Sequence, residues 1–326
     1  MARLESADTV TRPLKTAEVG AGQVMRIRIP ALLAVIASLM AVAAPAQAII
    51  NGVPDKGAHP YVGEVVLYVP SREDPRFDDP GYWSTCSGTL VSPTVVVTAG
   101  HCAFDVGHNG EDGSDIGGND VWISFAEEPD FDILRPTSQF APDNNGGRYQ
   151  DWSKALNSSN EWIRATAYHH PEYIDGEFFK HDLGVLILSK SVTLKKYGQL
   201  PTEGLLDELY AENKSQTYTT VGYGLEDSGP MTGVGGDTRR RAELKLVDLT
   251  GVGGRGGGTS AKFSSNADTG GTCLGDSGGP IFVSGSSTIV AVTSYEANIN
   301  CAGTTGAYRI DQADDLAFLA TFGVSS

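Results

Sequence analysis

Gly275-Asp276-Ser277-Gly278-Gly279-Pro280 decides the reading of this chain. It sets a serine in a glycine-rich turn, where the hydroxyl is exposed and neighbouring backbone N–H groups can converge on an oxyanion. A Gly-x-Ser-x-Gly turn also forms the nucleophile elbow of α/β-hydrolases, in which the partner histidine follows the serine. All six histidines here (His59, His101, His108, His169, His170 and His181) precede Ser277. The available order is His, Asp, Ser, and the elbow reading is excluded.

His101 ends the run Val95-Val96-Val97-Thr98-Ala99-Gly100-His101-Cys102. The β-branched residues predict a buried strand and Ala-Gly a sharp turn at its end, which presents the histidine at the rim of a sheet. Asp182 opens His181-Asp182-Leu183-Gly184-Val185-Leu186-Ile187-Leu188, a carboxylate heading an apolar run. Burial there is costly unless the carboxylate is hydrogen-bonded, so a partner is expected. Most other aspartates between His101 and Ser277 sit among Gly, Asn, Pro or other acids and read as solvated loop. His169, His170 and His181 lack such a context and read as loop residues.

These motifs, in this order, resemble those of the trypsin/chymotrypsin-like serine proteases. Ile49-Ile50-Asn51-Gly52, Thr98–Cys102, Asp182–Leu186, the serine hexapeptide, Ser294-Tyr295 and Gly306-Ala307-Tyr308 all match, from Ile49 to near the C-terminus. The resemblance implies an all-β fold of two six-stranded antiparallel β-barrels, with the active site in the cleft between them. It implies that Ser277 attacks the scissile carbonyl and that His101 takes its proton and delivers it to the leaving amine. Asp182 would fix the imidazole, and the N–H groups of Gly275 and Ser277 would form the oxyanion hole. No metal or organic cofactor is needed for that chemistry.

Four cysteines allow three disulfide connectivities, and no Cys-x-x-Cys motif is present. The family pattern would pair Cys86 with Cys102 and Cys273 with Cys301, which favours an oxidising compartment. Residues 25–48 read as a signal peptide. Met25–Ile29 is a short basic region, Pro30–Pro45 is apolar but short for a membrane span, and Ala46-Gln47-Ala48 is a small-residue cleavage box. Residues 1–24 read as an extended leader, or Met25 as the true start. Cleavage after Ala48 would free Ile49, whose ammonium in this family pairs with the aspartate before the nucleophile, here Asp276. Signal peptidase would then itself produce the active, secreted form.

The chain carries a net charge of −16, and loss of residues 1–48 makes it two charges more acidic. That balance argues against nucleic acid or anionic membranes as partners and fits plain solubility. Polypeptide substrates, protein protease inhibitors and a monomeric state are expected. The protease domain is assigned to residues 49–326, with barrels at about 49–200 and 215–326. Short apolar runs separated by turn residues support an all-β domain. The helical period at Gln312–Phe322 predicts a short C-terminal helix. Ser71–Tyr82 and Phe104–Trp162 are expected to be surface loops. Asp112–Asp115 through Asn119-Asp120 could hold Ca²⁺, although the ordered spacing of a calcium loop is missing.

For the substrate pocket, the family pattern points to Gly271, Thr272, Ser294, Tyr295, Glu296 and Gly306. Gly271 stands where a trypsin has its pocket-floor aspartate, so a strict preference for Arg or Lys from that site is not expected. Glu296 could narrow the pocket, favouring a small or medium apolar P1 residue, or supply an offset negative charge. Rival readings are a non-catalytic binding protein on a protease fold and an esterase with the same triad.

Overall fold

The computed structural model describes residues 49–326 except 74–79, 109–116, 135–146, 226, 230–231 and 235–237. The expected signal peptide and the Asp112–Asp115 calcium ligands lie outside the described residues. Val53–Pro54 (β1) pairs with a strand of the second barrel. Six strands then close the first barrel: β2 (Val62–Glu73), β3 (Pro80–Leu90), β4 (Val95–Thr98), β5 (Gly118–Ser124), β6 (Ile163–His169) and β7 (Gly184–Leu188). Their order around it is β2-β3-β4-β7-β6-β5, antiparallel throughout. Closure leaves no unpaired edge, so every strand can bury one face. The branched residues Val65, Leu67, Leu90, Val96, Val121, Ile123 and Leu186 share the inward face and fill the interior.

The second barrel is built from β8 (Thr217–Gly222), β11 (Arg240–Asp248), β12 (Ser260–Ser265), β13 (Pro280–Val283), β14 (Ile289–Glu296) and β15 (Gly303–Arg309). The order β11-β12-β15-β14-β13-β8 returns to β11 through a β8–β11 pairing. A small hairpin, β9 (Asp227–Gly229) with β10 (Thr232–Val234), precedes β11. Ile49, Tyr218, Leu244, Phe263, Ile281 and Val290 form its core. The expected pair of six-stranded barrels is present.

Among the described residues three α-helices decorate the barrels: α1 (Gly147–Ser158), α2 (Leu205–Glu212) and α3 (Ala313–Ala320). The last is the expected C-terminal helix, with Leu319 fully buried. The other two were not expected, because the sequence shows a long helical period only at Gln312–Phe322. Phe104–Trp162 is not a loop throughout: besides β5, which covers most of the apolar run Val121–Phe125 that the sequence marks as a strand, it contains α1, and helix α1 lays Tyr149, Trp152 and Leu156 onto Tyr68, Trp83, Trp122 and Trp162. A helix with so polar a sequence carries little signal alone, and burial against aromatic partners supplies its stability. Ser71–Tyr82 likewise continues β2 and β3 at its ends. Strand β3 escaped the apolar-run reading because Ser84, Thr85, Ser87 and Thr89 break up its apolar residues.

A buried network stitches the barrels together. Arg239, ahead of β11, reaches Asp55 at 3.1 Å and donates to Val62 O, Phe125 O and the Tyr223 hydroxyl. Tyr223 in turn donates to Ala126 O at 2.6 Å. Arg239 and Asp55 are both almost fully buried, so their pairing offsets a desolvation cost that neither could bear alone.

Candidate active site

His101 follows β4 in a short 3₁₀ turn, Gly100–Cys102, and Asp182 immediately precedes the β7 segment that pairs with β4. Antiparallel pairing of two apolar runs thus delivers both residues to the same barrel rim. The Asp182 carboxylate is fully buried. Its Oδ1 accepts the His101 backbone N–H at 2.8 Å, and Oδ2 lies 3.0 Å from His101 Nδ1. The Ser294 hydroxyl of β14 makes a further short contact with Oδ2 and lies 2.7 Å from Phe178 O. Phe178 sets its ring edge-on to the imidazole, with centroids 5.2 Å apart. With Nδ1 on the carboxylate, Nε2 is the nitrogen left with a free lone pair.

The serine turn hangs between the barrels. Ser87 of β3 donates its N–H to Ser277 O at 2.7 Å and its hydroxyl to Gly275 O at 3.1 Å. Gly278 N–H donates to Thr293 O of β14 at 2.8 Å. Gly278 has φ +76, and a Cβ there would meet Thr98 Oγ1 at 2.1 Å and Ser87 O at 2.6 Å. Only glycine fits so close an approach. The amides of Asp276, Gly278 and Gly279 all donate within the protein, whereas those of Gly275 and Ser277 find no protein acceptor among the described residues. Ser277, Gly275 and His101 line one cavity of about 670 Å³, with Thr85, Cys86, Leu274, Trp83 and Trp152. No hydrogen bond joins the Ser277 hydroxyl to His101 among the described residues.

Asp276 is buried, its Oδ1 accepting Gly224 N–H and its Oδ2 Cys273 N–H, each at 2.8 Å. Burial pushes its carboxyl up to about 7, and the two N–H groups oppose that rise. Ile49 is wholly buried, and its neighbour Ile50 bridges to Gly271, whose N–H donates to Ile50 O at 2.9 Å. Residue 48 precedes it here, so the Ile49 nitrogen is a peptide amide, and no ion pair to Asp276 is present among the described residues.

Gly271 is sterically fixed: a Cβ there would sit 1.9 Å from Ser265 Oγ, which is itself bonded to Cys301 O at 2.6 Å. An aspartate cannot be accommodated at that position. Glu296 turns its carboxyl inward, with Oε1 accepting from Thr272 at 2.7 Å and from Thr305 at 2.9 Å. Its Oε2 is buried without a hydrogen-bond partner. Burial raises the Glu296 carboxyl to about 8, against the pull of the two threonine hydroxyls. The Tyr295 ring covers Gly306, where a Cβ would come within 2.3 Å of it, and the Tyr295 hydroxyl contacts Ser260 Oγ at 2.8 Å. Thr305 and Ser265 were not singled out in the sequence; both are ordinary strand residues until the fold sets Thr305 against Glu296 and Ser265 against Gly271.

Both disulfides are formed, Cys86–Cys102 beside His101 and Cys273–Cys301 beside the serine turn. They fit an oxidising compartment. Of the residues considered for calcium, Asp120 is buried and already pairs with Arg164 at 3.3 Å and His108 at 3.1 Å. No described helix is long and apolar enough to cross a membrane.

Residues 143–315 match the family model described as trypsin, a range that takes in Asp182 and Ser277. Trypsin iota of Drosophila melanogaster is 25% identical over 222 residues, covering 64% of this chain and 68% of that protein. The fold is similar to that of HL collagenase, with a TM-score of 0.59 and 15% identity over 85% of this chain and 100% of the other. It is also similar to the scabies mite inactivated protease paralogue S-D1, with a TM-score of 0.55 and 14% identity over 84% of this chain and 97% of the other. Those two structural likenesses speak for the fold alone. Barrel architecture, disulfide pattern and family match converge: the chain belongs to the trypsin family of trypsin/chymotrypsin-like serine proteases.

Proposed function

We propose that this protein is a secreted serine endopeptidase that hydrolyses peptide bonds through an acyl-enzyme on Ser277. The observation that carries the reading is the pair of N–H groups, on Gly275 and Ser277, left without protein acceptors in the cavity that also holds His101. Two such donors suit the oxygen of a tetrahedral intermediate. In the reaction Ser277 Oγ attacks the carbonyl while His101 Nε2 takes its proton. The imidazolium, stabilised by Asp182, then protonates the leaving amine, and water repeats the sequence to release the acid.

The activation pair follows from Asp276. A carboxylate this buried, bonded only to neutral donors, favours a cation, and the α-ammonium of a chain beginning at Ile49 would supply one. Glu296 supports a small or medium apolar P1 residue: it occupies the pocket and, with its carboxyl raised to about 8, is mostly uncharged at pH 7. Substrates and protein inhibitors would use the same cleft, on a monomer.

Labelling with a fluorophosphonate tests the catalytic reading. Wild type should be labelled and Ser277→Ala should not. An unlabelled, folded wild-type protein beginning at Ile49 would favour the non-catalytic alternative instead. A mature N-terminus well before Ile49 would sink the activation scheme. Hydrolysis of simple esters with no peptide cleaved in a library varied at P1 would point to an esterase.

A further inference from the structure

A second cluster of metal-binding side chains lies next to Asp182 in the chain and outside the chemistry just described. It comprises His170 beyond the end of β6, His181 directly before Asp182, and Asp314 in the first turn of α3. Donor atoms of all three lie within 4.8 Å of one another. The two imidazoles are stacked, with centroids 4.8 Å apart and ring planes 15° from parallel. His181 Nδ1 stands 3.4 Å from Asp314 Oδ2, and His181 Nε2 stands 3.6 Å from Glu172 Oε2. Those separations are too long for good hydrogen bonds, and His181 Nδ1 is buried with no hydrogen-bond partner. The only hydrogen bond to the His170 ring among the described residues is a long one, 3.2 Å, from Glu172 N–H.

This arrangement gathers ligand atoms without satisfying them. His181 adopts φ 50, a conformation rare outside glycine, so the backbone holds its ring in place at some cost. His170 is fixed by its N–H to Leu183 O at 2.8 Å and by the Phe318 ring of α3, 5.1 Å away. Two imidazoles and one carboxylate suit zinc, with water or Glu172 available for a fourth position, and are a poor set for calcium or magnesium. The other cluster of potential ligands, at Cys86, His101 and Cys102, offers no thiolate because both cysteines are in a disulfide.

We propose that His170, His181 and Asp314 form a zinc site, and that zinc bound there lowers catalytic activity. Zinc–ligand bonds of 2.0–2.1 Å place tetrahedral ligand atoms about 3.4 Å apart; His181 Nδ1 and Asp314 Oδ2 already stand at that separation, so binding draws that pair toward His170, which Leu183 and Phe318 hold in place. His181 must then move, and it is covalently joined to the residue that orients His101 at 3.0 Å. A small displacement of Asp182 misaligns the base, which would slow turnover rather than weaken substrate binding. The inhibitory half of this inference rests on the protease reading; the binding half does not.

Calorimetric titration of the secreted protein with Zn²⁺ should show one site per chain. Asp314→Asn, at an exposed position, and His170→Ala should each weaken binding about tenfold or more. Peptide hydrolysis, scaled to each variant's own zinc-free rate, should fall in wild type with the midpoint of the calorimetric curve, and kcat should fall more than KM rises. Equal affinity in wild type and both variants would overturn the site. Inhibition that persists unchanged in Asp314→Asn would place the inhibitory metal outside this cluster and overturn the coupling. A protein that binds Zn²⁺ at these residues but hydrolyses nothing would leave the site standing and refute the protease reading instead.

Discussion

Replacing Asp182 with asparagine tests the catalytic geometry most sharply. The His101 backbone N–H, 2.8 Å from Oδ1, needs an acceptor, so it holds the asparagine oxygen at that position. The amide NH₂ then falls where Oδ2 stood, 3.0 Å from His101 Nδ1. One amide hydrogen points at Nδ1, which must now accept, and the imidazole proton moves to Nε2. The other points at Ser294 Oγ, which can turn its own hydrogen to Phe178 O, 2.7 Å away. Every hydrogen bond is remade, so the fold should lose little stability, while the base faces Ser277 in the wrong tautomer. The analogous change in a serine protease triad costs about 10⁴ in kcat. At 1.36 kcal/mol per decade that is about 5.4 kcal/mol of transition-state stabilisation. Steady-state hydrolysis of a peptide substrate at pH 7 measures the loss, and thermal unfolding checks the fold. Activity within tenfold of wild type, in a protein with an unchanged melting temperature, would refute the assignment of Asp182 as the residue that sets the tautomer.

Two further outcomes follow from buried charges. Because burial raises Glu296 to about 8, its neutral form is the one the fold favours. Stability from that preference is complete below the ordinary glutamate range and is lost as pH rises through 8. Wild type should therefore lose more melting temperature than Glu296→Gln between pH 5 and pH 9, and only wild type should gain acceptance of a basic P1 residue above pH 8. Identical pH profiles for the two proteins would show that Glu296 does not titrate in the pocket. Arg239→Met removes the cation from Asp55 and strips donors from Val62 O and Phe125 O. Breaking a buried pair in this way costs about 3–5 kcal/mol. Urea unfolding should show a loss of that order, and a loss under 1 kcal/mol would mean that His59, 2.5 Å from Asp55, suffices to hold the carboxylate.

What could be read before folding was local. The serine hexapeptide, the Val95–Cys102 strand and turn, and the Asp182–Leu188 run each encode their geometry within a few residues, because glycine turns and β-branched periodicity act at short range. Their order along the chain then excluded the competing hydrolase architecture, and the family resemblance they carry implied two barrels. Polar β3 and helix α1 stayed hidden because each is stabilised by what it packs on, a neighbouring strand in one case and an aromatic cluster in the other. The pocket divided along the same line. Gly271 was visible as the missing aspartate, but only the tertiary structure shows that Ser265 forbids one there. Glu296 left open whether it narrows the pocket or charges it, and only the tertiary structure sets its carboxyl between Thr272 and Thr305, where burial favours the proton. His170, His181 and Asp314 read as unrelated loop and helix residues. They meet because α3 returns to the first barrel, and distances of a few ångströms between residues 11 to 144 positions apart are decided by the fold alone.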